Sequence, residues 1–176
     1  MNIARMLACL FFTVGGLFLA ISEIQAQTTV KSVAQMREEV ENYVSSKAKE
    51  LVSQGKRVDA AKREELEGDK KSLANRYAAE AAARTDLKEI DFYYLGELFT
   101  IAEADTKAIE AFKKYLAQYP PDIKGNVIQS ARTYLLVSLV RKKQMAEAEQ
   151  IYQAWVKGEP FYKDQQPALE QVLAVG

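Results

Sequence analysis

From Lys31 to Gln54 the apolar positions Val33, Met36, Val40, Tyr43, Val44, Ala48, Leu51 and Val52 recur at steps of three and four residues. That is the period of an amphipathic helix, and Gly55 is placed to end it. A second helical stretch is predicted from about Asp59 to Arg84, built from Ala, Glu, Lys, Arg and Leu. It reads either as one long helix or as two, broken at Gly68. Asp86 followed three residues later by Glu89 has the form of a capping box and predicts a helix start just before "LKEIDFYYLGELFTIAEA". The next helix opens at Asp105 or Thr106 and runs through Tyr119, since Pro120 and Pro121 lack amide donors and stop it. Gly125 and Asn126, with Gln129 beyond them, start a helix to about Lys143; a last one covers Ala146 to Lys157 and ends at Gly158 and Pro160. No segment alternates with period two for long enough to argue a sheet. The expected fold class is all-α, built from antiparallel helical hairpins.

Before these helices the pattern changes. "MNIARMLACLFFTVGGLFLAISEIQAQ" has a short n-region with Arg5, an apolar run from Leu7 to Ile21, and a polar stretch ending at Ala26. This is the layout of a secretory signal, so residues 1–26 are expected to be a signal peptide and the protein to be exported, periplasmic or extracellular. The apolar run is shorter than the roughly 20 residues of a spanning helix. Membrane contact is therefore expected only if this segment stays uncleaved.

Charge and chemistry narrow the function classes. Lys plus Arg equals Asp plus Glu at 24 each, and cleavage after Ala26 removes one of each sign, Arg5 and Glu23. No global field steers the chain toward nucleic acid. The sequence has no histidine, and its single cysteine, Cys9, lies in the signal segment. That removes His-based acid/base catalysis, Ser/His/Asp and Cys/His nucleophiles and ordinary zinc sites from the exported part. No glycine-rich phosphate loop is present, so no cofactor and no catalytic residue is expected. Glu97, Glu103 and Asp105 read as a solvated helix face, not as a carboxylate pair or a metal site. "REEVE" at 37–41, "KKYLAQ" at 113–118 and "RKK" at 141–143 read as helix surface as well.

A repeat is visible in the second half. With Glu89 as the first position of a unit of about 34 residues, Phe92 falls at position 4, Leu95 at 7, Gly96 at 8, Phe99 at 11, Ala108 at 20, Phe112 at 24, Tyr115 at 27 and Pro120 at 32. Small Gly96 and Ala108 mark where two antiparallel helices would approach most closely, large side chains fill the surroundings, and Pro120 turns the chain out. A second unit sets Leu135 and Leu139 at 7 and 11, then Ala148, Tyr152, Trp155 and Pro160 at 20, 24, 27 and 32. It departs from the pattern with Leu136 at 8 and Arg132 at 4, and Ala108 and Ala148 are 40 residues apart.

These positions resemble the tetratricopeptide repeat. The resemblance implies an α-solenoid with an N-terminal helical region at 27–85 and repeats over 86–176. The units lie at about 89–122 and 129–162, and a terminal helix near Leu169 and Leu173 begins a third. In that family the inner face of each first helix forms the ligand groove, which implies a groove of Tyr93, Glu97, Thr100, Thr133, Val137 and Arg141. The Lys and Asn set with which some members hold a C-terminal carboxylate is missing from these positions. The implied function is a non-catalytic, exported protein-binding or scaffold module whose partner is a protein or peptide. Tyr93 and Tyr94 are expected as its anchors, or else as packing against the preceding helix. The order of signal, Lys/Glu-rich helices, "DFYYLGELF" and "AEAEQIYQAWVKGEP" is also similar to the helical region ahead of the thioredoxin-like domain in some exported redox proteins. Such a domain carries Cys-x-x-Cys, which this sequence lacks, so that likeness implies only the interaction part. A third expectation is an envelope protein that self-associates through its last helix.

Overall fold

The computed structural model describes residues 30–119, 125–158 and 173–174; over 154–158 it describes the backbone. Residues 1–26, expected as a signal peptide, Pro120 and Pro160, and the side chain of Trp155 lie outside the described residues.

Among the described residues six helices follow one another: α1 (Val33–Ser53), α2 (Ala60–Ala82), α3 (Glu89–Ile101), α4 (Asp105–Leu116), α5 (Asn126–Arg141) and α6 (Met145–Gly158). Among the described residues there is no strand, and the protein is all-α. Ser32 caps α1: the amide of Gln35 donates to its hydroxyl at 3.2 Å and the amide of Ser32 donates to the Gln35 side chain at 2.9 Å. At the N-terminus of α2 the amide of Lys62 donates to Asp59 Oδ1 at 2.9 Å.

Gly68 does not break α2, which is a single helix. The apolar stripe Leu66, Leu73, Ala74, Tyr77, Ala78 and Ala81 runs through it on one buried face. A mid-helix glycine costs about 1 kcal/mol against alanine, which is less than interrupting that stripe would cost. The cap of α3 is not the one expected. Asp86 is gripped by Arg84, whose Nε and Nη2 lie 3.0 and 2.9 Å from its two oxygens. The helix starts at Glu89, and Asp91 is the residue whose carboxylate accepts the amide of Lys88, at 2.8 Å. Arg84 sits close enough in sequence to take Asp86 out of the capping role.

The turns between paired helices share one construction. After α1, Gly55 has φ +73° and the amide of Lys56 donates back to the carbonyl of Leu51 at 2.9 Å. After α3, Glu103 has φ +56° and Ala104 donates to Phe99 at 2.8 Å. After α5, Lys143 has φ +57° and Gln144 donates to Leu139 at 2.9 Å. Each is a left-handed residue closing a helix with a six-to-one hydrogen bond. The second and third turns stand 40 residues apart, the interval that separates Ala108 from Ala148.

Lys31–Gly176 forms one compact unit with one core. Each helix packs on the next, and α3 also packs on both α1 and α5. The tightest approach is between α3 and α4. A Cβ at Gly96 would stand 2.6 to 2.7 Å from three ring atoms of Phe112, so α3 admits only glycine there without a shift. Leu95, Phe99, Ala108, Phe112, Tyr115, Leu135, Leu139, Ala148 and Tyr152 are buried and Phe92 is half-buried. At the two departing positions Leu136 and Arg132 are buried as well. An aromatic column ties the helices together: Phe112 stacks on Tyr134 of α5 at 5.5 Å and 11°, and Tyr93 meets Phe112 at 6.2 Å and Tyr115 at 5.6 Å.

Candidate interaction surface

Two of the helices that open the hairpins, α1 and α3, are joined at Glu97. This carboxylate is buried, at 4% exposure, in the middle of α3. Tyr93, one turn earlier on the same face, donates its hydroxyl to Glu97 Oε1 at 3.0 Å. Arg37 reaches across from α1 and donates Nη2 to Oε1 at 3.2 Å; its Nε stands 3.1 Å from Oε2, an ion-pair contact in which the N–H is not aligned on the oxygen. Arg37 also pairs with Glu41 on its own helix. From α5, Tyr134 lies near enough to feel the charge of Glu97. Burial first, and then the carboxylate of Glu97, pushes the phenols of Tyr93 and Tyr134 up from their ordinary values. The Glu97 carboxylate, buried and paired with Arg37, ties α1 to α3.

The expected solvated carboxylate at Glu97 is thus a buried one. Periodicity along α3 could not reveal this, because the arginine that pairs with it lies 60 residues upstream, on α1. Glu103 is exposed and pairs with Lys71, and Asp105 is approached by Arg141 at 3.5 Å.

Of the six residues placed in the groove by resemblance, the structure joins Tyr93 and Glu97 as a buried floor. Tyr93 packs by its ring edge on Tyr94 at 5.4 Å, and it is Tyr94 that stays half-exposed. Thr100 donates its hydroxyl to the carbonyl of Gly96 at 2.9 Å. Thr133 and Val137, one turn apart on α5, are half-buried, and Arg141 is exposed. Thr100, Thr133, Val137 and Arg141 keep some exposure, as does the neighbouring Tyr94, whereas Tyr93 and Glu97 do not.

A second concavity was not read from the sequence. A cleft of about 380 Å³ opens where the C-terminal end of α2 and the following loop face α4 across α3. Its floor is Phe92, Leu95 and Phe99, on one side of α3. Its α4 wall is Lys107, Glu110, Ala111 and Lys114, and Arg84 stands opposite. Lys107 lies 5.5 Å from the ring centre of Phe99, and Lys114 lies 5.7 Å from that of Phe92, so each end of the apolar floor carries a cation over an aromatic ring. The three floor residues were read as repeat core; they do pack, but one side of them faces the cleft.

Among the described residues no three His, Cys, Asp or Glu side chains group as metal ligands, and no helix is long and apolar enough to cross a membrane. Comparison with family models, with curated proteins and with solved structures finds no match to this chain.

Proposed function

We propose that this chain is a non-catalytic protein-interaction module of tetratricopeptide type, exported under the direction of residues 1–26, which holds a protein segment on the face formed by α1, α3 and α5. The observation that carries the reading is the repeated hairpin. The same left-handed turn recurs 40 residues apart, with Ala108 and Ala148, and Phe112 and Tyr152, buried at matching places after it. The close approach of Gly96 to Phe112 supports the family's packing at that position. Stacked hairpins of this type set their first helices side by side, which suits the recognition of an extended or helical peptide better than that of a small substrate. The charged groups support binding too, since Glu97 is consumed in holding α1 to α3.

The test is quantitative co-purification from the native cells with the wild-type chain and with Thr133→Arg, Val137→Arg. Both positions are half-buried on α5, and arginine can extend its head group to solvent there. Selective loss of one discrete partner, with circular dichroism unchanged, is the expected result. An unchanged set of associated proteins would remove the face from the account.

A further inference from the structure

The cleft over α3 is a built site with a defined charge pattern. Its floor runs from Phe92 to Phe99, seven positions and so roughly 10 Å of helix. Lys107 and Lys114 are also seven positions apart, on the antiparallel α4, which sets one ammonium over each end of the floor. Both lysines are exposed, and among the described residues neither has a carboxylate within ion-pair distance, whereas the neighbouring Lys71 and Lys113 are paired with Glu103 and Glu147. Glu110 lies between the two lysines on the same wall and makes no ion pair with either. Arg84, opposite, is taken by Asp86 and by the backbone carbonyl of Lys31. The groups not otherwise engaged are therefore two cations and one anion.

We propose that this cleft docks an acidic amphipathic peptide helix. Its apolar side chains lie on Phe92, Leu95 and Phe99, and two carboxylates two turns apart, one at each end, meet Lys107 and Lys114. The cleft has room for the side chains of such a segment but not for its backbone, which would ride on the surface between α2 and α4. Spacing and sign favour this occupant. Carboxylates seven residues apart on the incoming helix match the lysine separation on α4, and the lysines, already held against aromatic faces, lose little freedom on pairing. A neutral apolar segment would leave both ammonium groups beside it without a counter-charge, and a basic one would repel them. The inference rests on the interaction reading above, but it uses a different face of the molecule.

The test is fluorescence anisotropy with the full chain and a labelled, acetylated and amidated peptide helix that carries glutamates seven residues apart with leucine and phenylalanine between them on one face. The same peptide with glutamine or lysine at the two acidic positions provides the comparison. The glutamate peptide should bind tightest, weaken with salt, and lose about tenfold in affinity with each of Lys107→Glu and Lys114→Glu. Glu110→Gln should tighten it. The lysine peptide should bind the doubly reversed Lys107→Glu, Lys114→Glu chain better than it binds the wild type, a rescue that a misfolded variant could not give. Equal binding of the three peptides, or a glutamate preference that survives both reversals, would overturn the inference. If either happens while the α5 face still loses its partner on Thr133→Arg, Val137→Arg, the interaction reading stands and only the cleft falls.

Discussion

Gly96→Ala isolates the contact on which the α3–α4 hairpin depends. An added Cβ would lie 2.6 Å from Phe112 Cε1 and 2.7 Å from Cδ1 and Cζ. Carbon atoms prefer about 3.5 to 4.0 Å, so the ring would have to withdraw by about 1 Å. It has little room to do so, because Phe112 is fully buried, stacked on Tyr134 and flanked by Tyr93. Overpacking of this kind costs about 1–3 kcal/mol, and three simultaneous contacts on a confined ring place it toward the upper end. Alanine returns about 1 kcal/mol of helix propensity, leaving a net loss of about 2 kcal/mol. Gly68→Ala in α2 is the same chemical change with nothing within 4 Å of the new methyl, so it should stabilise by up to about 1 kcal/mol. Urea unfolding followed by far-ultraviolet circular dichroism measures both; the expected gap between them is about 3 kcal/mol, with the m value unchanged. Phe112→Leu, which shrinks the obstructing ring, should reduce the penalty of Gly96→Ala. If Gly96→Ala stabilises as Gly68→Ala does, the two helices do not approach as described and the packing argument fails.

Other perturbations address the polar seam and the turns. Glu97→Ala takes the acceptor from the Tyr93 hydroxyl and leaves Arg37 with Glu41 alone; because Arg37 is partly exposed and keeps that partner, the loss should be about 2 kcal/mol, below that of a fully buried pair. Combining it with Arg37→Met in urea unfolding should cost less than the sum of the two single changes, and strict additivity would show that the pair is not coupled. Ser138 is fully buried and its hydroxyl has no hydrogen-bond partner among the described residues, so Ser138→Ala should raise stability by about 1 kcal/mol; a comparable loss would reveal a bond to that oxygen. Lys143→Gly relieves a left-handed non-glycine residue and should add about 1 kcal/mol in the same assay, whereas Lys143→Ala should not. Burial, and then the hydrogen bond with Tyr119, pushes the Tyr115 phenol up to about 12. Between an unfolded value of about 10 and that folded value, the unfolded chain has lost the proton and the native chain still holds it, so this contribution is complete below pH 10 and falls away as pH rises toward 12. Tyr115→Phe should flatten the decline of stability across that window, and an unchanged slope would refute the assignment.

The local parts of the fold were legible because they are written in short-range patterns. The period of Val33, Met36 and Val40, the helix start near Asp59 and the small residue at Gly96 each act within a few turns of chain. What escaped depends on partners far apart in sequence or on backbone conformations without a marker residue. Glu103 and Lys143 hold left-handed turns that glycine usually fills, as it does at Gly55, so only the first of the three turns announced itself. Glu97 looks like any surface glutamate until α1 brings Arg37 to it. The cleft was invisible for a similar reason: Phe92, Leu95 and Phe99 have the spacing of core residues, and nothing local to them records that α4 leaves one side of that floor open toward α2.

Site-specific photocrosslinking in the native cells tests the interaction account most directly. A photoreactive amino acid is placed in turn at Val137 on the α5 face, at Lys114 on the cleft wall, and at exposed Glu64 on α2 as the control. The account predicts a discrete protein adduct from position 137 and none from position 64, with position 114 reporting the cleft separately. No adduct from 137, or the same adducts from 137 and 64, would contradict it.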